Sequence, residues 1–120
     1  MMKKIKVLIV DDNEEICKML KNSLDRYVDV EVLAICYSDQ DELKLIESLK
    51  PDVVITDLVR NGRDSGLEII KIIKKKEESP KFLVFTAKDC NAEYTEIIDA
   101  YIKKPIENFD VIYKELKKIK

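Results

Sequence analysis

Short apolar runs alternate with longer segments of helical period along the whole chain. Ile5 to Val10 is apolar apart from Lys6 and is bounded by the polar cluster Asp11-Asp12-Asn13. So short a run, flanked by turn-forming residues, predicts a buried strand. Beyond it Ile16, Leu20 and Leu24 recur every fourth residue, with Met19 and Tyr27 assigned to the same side, as in an amphipathic helix. Val30 to Ile35 is rich in β-branched residues and carries Glu31, which predicts an edge strand. Ser38 and Asp39 stand as caps of a second helix, with Asp41 and Glu42 following at capping-box spacing. Leu49-Lys50-Pro51 closes that helix, because the residue before a proline disfavours the helical region.

The second half repeats the alternation. Val53-Val54-Ile55 predicts a central strand ending at Asp57, and the polar stretch from Leu58 to Ser65 a loop. Leu67, Ile69, Ile70, Ile72 and Ile73 form a broad apolar helix face that stops near Glu78-Ser79-Pro80. Phe82 to Phe85 reads as a buried strand and Ala92 to Asp99 as a weak helix. Ala100 to Ile102 is a short strand ended by Lys104-Pro105, and Phe109, Ile112, Leu116 and Ile119 stripe a last helix. Strands alternating with helices imply an α/β fold, a parallel sheet with helices on both faces and right-handed crossovers. Five such units without a linker or repeat predict a single domain over residues 1–120. That size suits the flavodoxin-like, doubly wound order 2-1-3-4-5.

Composition narrows the chemistry. With 120 residues, 46% hydrophobic and 38% charged, the chain can bury one core under a highly charged surface. A net charge of −2 gives no general attraction to nucleic acid or to an anionic membrane. Lys74-Lys75-Lys76 and Lys117, Lys118 and Lys120 read as solvated helix ends, since acidic residues adjoin or interleave them. The cysteines, Cys17, Cys36 and Cys90, form no CxxC pair, so neither a zinc site nor a disulfide framework is suggested. Core packing is the role expected of Cys17 and Cys36, and free thiols fit a reducing cytosol. Val7 to Val10 is too short for a signal peptide or a membrane span, so a cytoplasmic protein is expected. The chain has no histidine. This excludes Ser-His-Asp and Cys-His catalysis and any internal histidine phosphodonor.

In an open α/β sheet of this order, ligands bind beyond the carboxyl ends of the strands, where the winding reverses between the first and third. Asp11-Asp12 and Asp57 end those two strands, Thr86 ends the fourth, and the fifth delivers Lys104. Taken singly, each has a bland explanation: Asp11 or Asn13 as a helix cap, Thr86 as a turn residue, Lys104 as a surface charge. Their convergence on one edge is harder to explain that way. Two carboxylates about 4 Å apart repel by ~4 kcal/mol at an effective dielectric of 20. Such a cluster persists where a cation neutralises it, and hard oxygen donors suit Mg²⁺.

Four segments in order, VLIVDDN (Val7 to Asn13), VVITDL (Val53 to Leu58), FLVFTA (Phe82 to Ala87) and YIKKP (Tyr101 to Pro105), resemble the receiver domains of response regulators in bacterial two-component signalling, of the chemotaxis-regulator kind. The resemblance covers essentially the whole chain. It implies that Asp57 is the phosphoacceptor, becoming an aspartyl phosphate. Asp12 would bind Mg²⁺ directly, Asp11 through water, and Asp57 and the backbone carbonyl of Val59 would complete the protein's share of the ligands. Thr86 would hydrogen-bond the phosphoryl group, Lys104 would pair with its oxygens or the carboxylate, and Tyr101 would change rotamer with Thr86 as the switch. The implied partners are a sensor histidine kinase or phosphotransfer protein, and a downstream protein or an output domain missing from this chain. Neither membrane association nor direct nucleic-acid binding is implied, and no enzyme activity beyond the chain's own phosphorylation and dephosphorylation. In receivers the side chains two residues after the acceptor and after the switch hydroxyl flank the path of the hydrolytic water. Here these are Val59 and Lys88, which predict slow loss of the phosphoryl group.

The chain departs from the family in two places. Receivers commonly carry Met-Pro or Leu-Pro after the acceptor, where this chain has Arg60-Asn61, and Gly66 arrives one residue late, which implies a one-residue insertion. The stretch from Thr86 to Lys104 is about one helical turn short and lacks the usual Ala-Gly-Ala, so the fourth helix should be short or irregular. Rival readings are weaker. A haloacid-dehalogenase phosphatase needs a second Asp where Val59 stands, and a flavin or nucleotide binder needs a glycine- or hydroxyl-rich loop in place of Asp11-Asp12-Asn13. A degenerate receiver, acting only as a phosphorylation-independent protein-binding module, is the remaining alternative.

Overall fold

The computed structural model describes residues 3–60, 62 and 65–119. Its elements run β1 (Ile5–Val10), α1 (Glu14–Leu24), β2 (Val30–Cys36), α2 (Asp39–Leu49), β3 (Val53–Thr56), α3 (Gly66–Lys74), β4 (Lys81–Thr86), α4 (Ala92–Thr95), β5 (Ala100–Lys103) and α5 (Asp110–Ile119). The strands form one parallel sheet of order β2-β1-β3-β4-β5, as the alternation predicted.

The continuous apolar runs of β1, β3 and β4 reflect burial on both sheet faces. Val7, Ile9, Val53, Ile55, Leu83 and Phe85 point to one side, where Cys17, Leu20 and Leu24 of α1 and Ile112 and Leu116 of α5 cover them. Leu8, Val10, Val54, Phe82 and Val84 point to the other, beneath Ile46 of α2, Leu67, Ile70 and Ile73 of α3, and Tyr94 of α4. Cys17 and Cys36 are buried, in line with their expected packing role. Asn13, not Asp11, caps α1, its side chain accepting from the Ile16 amide at 3.0 Å.

Several expectations need correction. Met19 is 45% exposed and lies off the buried stripe of α1; Tyr27 lies beyond the end of that helix but packs against the same core, stacked on Tyr113 with ring centroids 3.6 Å apart. No capping box forms at α2. The Ser38 hydroxyl donates to Asp41, and Glu42 turns into the interior. The strand before Asp57 ends at Thr56, α3 ends at Lys74, well short of Pro80, and α4 is a single turn that stops at Thr95. Lys74 is not simply solvated: its ammonium pairs with Asp99 at 2.8 Å and lies over the Phe82 ring. Asn61 of the substituted pair, Arg63 and Asp64 of the same loop, and Lys120 lie outside the described residues.

Candidate functional site

Parallel pairing brings the strand ends to a common edge. Val10 pairs with Thr56, Thr56 with Val84 and Thr86 with Lys103. The next residues continue the ladder: the Asp57 amide donates to Val10 O at 3.2 Å, and the Lys104 amide to Thr86 O at 2.8 Å. Asp11, Asp57, Thr86 and Lys104 are therefore neighbours because their backbones are in register.

Their side chains meet. The Lys104 ammonium donates to Asp11 Oδ2 and Asp57 Oδ2, each at 2.8 Å, so these oxygens lie within twice that distance of one another. Thr86 Oγ1 donates to Asp57 Oδ1, which also accepts the Val59 amide at 3.1 Å. Asp57 is thus gripped at both carboxylate oxygens while remaining 8% exposed. Asp11 accepts the Asn13 amide at 2.9 Å through Oδ1, and Asp12 beside it is exposed. The Cys17 thiol donates to Asp11 O at 3.4 Å; burial pushes that thiol up to about 12, so it stays a protonated donor.

The electrostatics follow from this packing. Burial raises the Asp11 carboxyl above its ordinary value, and the Lys104 hydrogen bond offsets only part of that rise. For Lys104, burial works to lower the ammonium, but the hydrogen bonds to Asp11 and Asp57 outweigh it and leave it above the usual lysine value. Among the described residues, no three acidic or thiol side chains close into a ready-made metal cage. That still suits Mg²⁺, which is commonly held by one or two carboxylates and keeps several waters. Paired carboxylates with an exposed third acid beside them offer such a hard, half-open donor set.

Further along the edge, the Tyr101 hydroxyl donates to Lys88 O at 2.7 Å, and the Lys88 amide leans on Thr86 Oγ1 at 3.4 Å. The Lys88 ammonium lies over the Tyr94 ring, 5.2 Å from its centroid. A short relay therefore links Asp57 through Thr86 and the Lys88 peptide to Tyr101.

A family model described as the response regulator receiver domain matches residues 7–117. The chain belongs to that family. It is 36% identical over 118 residues to the sensory transduction protein LytT of Bacillus anthracis, an alignment covering 97% of this chain and 47% of that protein. The receiver thus spans about half the length of the curated relatives it matches. The response regulator domain of Thermotoga maritima CheB superposes with a TM-score of 0.83 at 22% identity, covering 98% of this chain and 96% of the other. The isolated receiver domain of RcsB from Salmonella enterica serovar Typhimurium, solved with the phosphomimetic BeF3−, gives 0.81 at 22% identity, covering 97% and 90%. At such identities these two likenesses concern the fold.

Sequence reasoning passed over one part of this receiver. Arg60, only 2% exposed, donates from Nε to Asp57 O at 3.0 Å, from Nη2 to Thr56 Oγ1, and from Nη1 to Asp39 at 2.6 Å and to Glu42. The Ser65 hydroxyl donates to the other Asp39 oxygen at 2.7 Å. Burial raises the Glu42 carboxyl, and the Arg60 charge pulls it part of the way back. A signal existed: Glu42 sits one turn before Ile46 on the stripe that leads to Leu49, where an acid needs a buried partner.

Proposed function

We propose that the chain is a phosphorylation-operated signalling switch in which Asp57 accepts a phosphoryl group from a histidine kinase or phosphotransfer protein. The observation that carries this reading is the bracketing of one largely buried carboxylate by Thr86 and the Val59 amide on one oxygen and Lys104 on the other. An Asp57 oxygen attacks phosphorus as the bond to the donor breaks. From phosphohistidine the P–N bond is lost and the imidazole nitrogen leaves with the electron pair; from acetyl phosphate the leaving group is acetate. A carboxylate is a weak nucleophile, so placement and charge neutralisation supply the catalysis.

Asp11, Asp12, Asp57 and the Val59 carbonyl are the residues that would hold Mg²⁺, and the ion would supply positive charge to the phosphoryl oxygens. Lys104 pairs with two carboxylates before transfer and can shift towards the new phosphoryl oxygens after it. Thr86, now donating to the acceptor carboxylate, can donate to the phosphoryl group instead. Its movement would disturb the Lys88 peptide and hence the Tyr101 hydroxyl. A phosphoryl group shifts the switch only by the difference between its contacts in the two states.

Val59 and Lys88 support a long-lived phosphorylated state. Valine cannot orient water, and a protonated lysine engaged with Tyr94 cannot take a proton from it. Val59→Asn should therefore hasten dephosphorylation. The longer relatives support an output domain as the downstream partner, and a net charge of −2 gives this domain no general attraction to nucleic acid. No helix among the described residues is long and apolar enough to cross a membrane, and the free cysteines favour a cytoplasmic setting. A phosphorylation-independent binding module is disfavoured by the retained Lys104 and Thr86 contacts.

The test is intact-mass spectrometry after incubation with acetyl phosphate and Mg²⁺. Wild type should gain one hydroxylamine-labile phosphoryl group and Asp57→Asn none. Equal labelling of the two would remove the assignment.

A further inference from the structure

The loop that follows the proposed acceptor departs from the family pattern, and Arg60 stands where the Met or Leu of a Met-Pro or Leu-Pro pair is usual. A charged side chain only 2% exposed, in a loop, calls for a physical account. Its guanidinium is a rigid fork, and every arm is used. Nη1 is held by Asp39 and Glu42, both on α2, while Nε and Nη2 reach back to Asp57 O and Thr56 Oγ1. Glu42 is fully buried and Asp39 is itself tied to Ser65, so the anchoring side of the fork has little freedom.

The atom held by Nε belongs to the acceptor residue. Fixing Asp57 O fixes the peptide that joins Asp57 to Leu58, and so the start of the turn that returns the Val59 amide to Asp57 Oδ1 at 3.1 Å. That same turn carries the Val59 carbonyl. The ion pair therefore acts where the direction of the acceptor carboxylate is set, without touching the reacting oxygens.

We propose that Arg60 is a positioning residue for phosphoryl transfer: with Glu42 and Asp39 it clamps the Asp57 backbone to α2, so the limiting rate of transfer depends on the Arg60–Glu42 pair while donor affinity does not. This rests on Asp57 being the acceptor. In-line transfer is sensitive to small displacements, and a shift of about 1 Å costs up to ~100-fold in rate. A residue that merely stabilised the fold would not separate the limiting rate from donor affinity in a variant that remains folded.

The experiment measures the initial rate of labelling of the full chain at saturating Mg²⁺ across acetyl phosphate concentrations, by intact mass. Arg60→Met leaves Glu42 buried and unpaired and is expected to unfold easily, so the informative variant is Arg60→Met with Glu42→Leu, which removes both charges. Circular dichroism and urea unfolding establish that it is folded. The limiting rate should fall about 10- to 100-fold, with half-saturating donor changed less than about threefold. Glu42→Gln keeps an acceptor for the guanidinium and should hold the rate within about threefold of wild type. Arg60→Lys keeps a charge for Glu42 but loses the Nε–H that reaches Asp57, so it should lose rate in the same direction. If the double variant fails to fold, Arg60→Lys carries the test alone.

A folded double variant labelled as fast as wild type would overturn the clamp, as would an Arg60→Lys at the wild-type rate or a Glu42→Gln as slow as the double variant. If wild type itself takes up no phosphoryl group, the acceptor assignment falls first and the role of Arg60 falls with it. That result is distinct from labelled wild type with an unaffected variant.

Discussion

The corner where β3 passes into α3 and the corner where β4 passes into β5 flank the same carboxylate, yet they are built differently. At the first, every residue of β3 is buried, Gly66 packs on the Asp57–Leu58 backbone, and all three guanidinium nitrogens of Arg60 donate to protein acceptors. At the second, Ala100, Tyr101 and Ile102 of β5 are only partly buried, α4 is a single turn, and the Thr86 side chain reaches Tyr101 through one peptide and one phenol. Asp57, the proposed acceptor, is held on a turn fixed by several contacts, while β5, which carries the proposed readout Tyr101, is lightly packed. A switch needs that asymmetry: geometry for chemistry tolerates little motion, whereas a readout must have two arrangements of similar free energy.

Breaking the rigid corner should cost most. Arg60→Met strands Glu42 in the interior, and removing one partner of a buried ion pair costs about 3–5 kcal/mol. Urea unfolding should show this loss, and adding Glu42→Leu should recover most of it; a loss under about 1 kcal/mol for Arg60→Met would mean the corner is not rigid. Gly66→Ala comes next. A Cβ there would lie 2.6 Å from Asp57 O and 2.7 Å from Leu58 Cα, both backbone atoms. Overpacking of this kind costs about 1–3 kcal/mol, and here it should also slow phosphorylation, because the displaced backbone carries the acceptor.

The soft corner should yield less. Tyr101→Phe removes one hydrogen bond to Lys88 O, worth about 0.5–1.5 kcal/mol, and leaves labelling of Asp57 unchanged. Amide shifts around Lys88 should then respond less to phosphorylation than in wild type. A cost as large as that of Gly66→Ala would erase the contrast between the corners.

The smallest effect has the opposite sign. A carboxyl whose folded value is raised favours the folded state when protonated, so its contribution is present at low pH and lost as pH rises through the raised value. Asp11 is such a group, chiefly through burial. Ionised at neutral pH without Mg²⁺, it weighs slightly against folding. Asp11→Asn should therefore melt slightly above wild type at pH 7, and the difference should shrink as pH falls through the raised Asp11 value. A variant that melts lower at pH 7 would refute this reading of the charge balance.

Much of this was legible in the sequence. The strand order and the meeting of Asp11, Asp57, Thr86 and Lys104 follow from apolar runs and chain topology, because parallel register carries strand-end residues to one edge whatever their side chains. Arg60 was not legible. Its role depends on Glu42 and Asp39, which sequence alone assigns to a capping box, and local capping competes with long-range pairing at the same acids. Met19 was misplaced because it stands three residues after Ile16, a spacing that can share a helix face, whereas the buried stripe runs through Cys17, Leu20 and Leu24.

The distances along the chain between the partners at Asp57 carry one more consequence. Lys104 is 47 residues from Asp57 and 93 from Asp11, and Thr86 is 29 from Asp57. During synthesis the two acids leave the ribosome long before the cation that counterbalances them. A nascent chain extending only through β4 would have to bury both carboxylates without Lys104, which discourages early closure of that edge. β5 supplies the missing charge as it docks, so addition of the last strand and completion of the reactive centre are one event. If Asp57 is the acceptor, a half-made chain therefore presents it without the charge that Lys104 supplies.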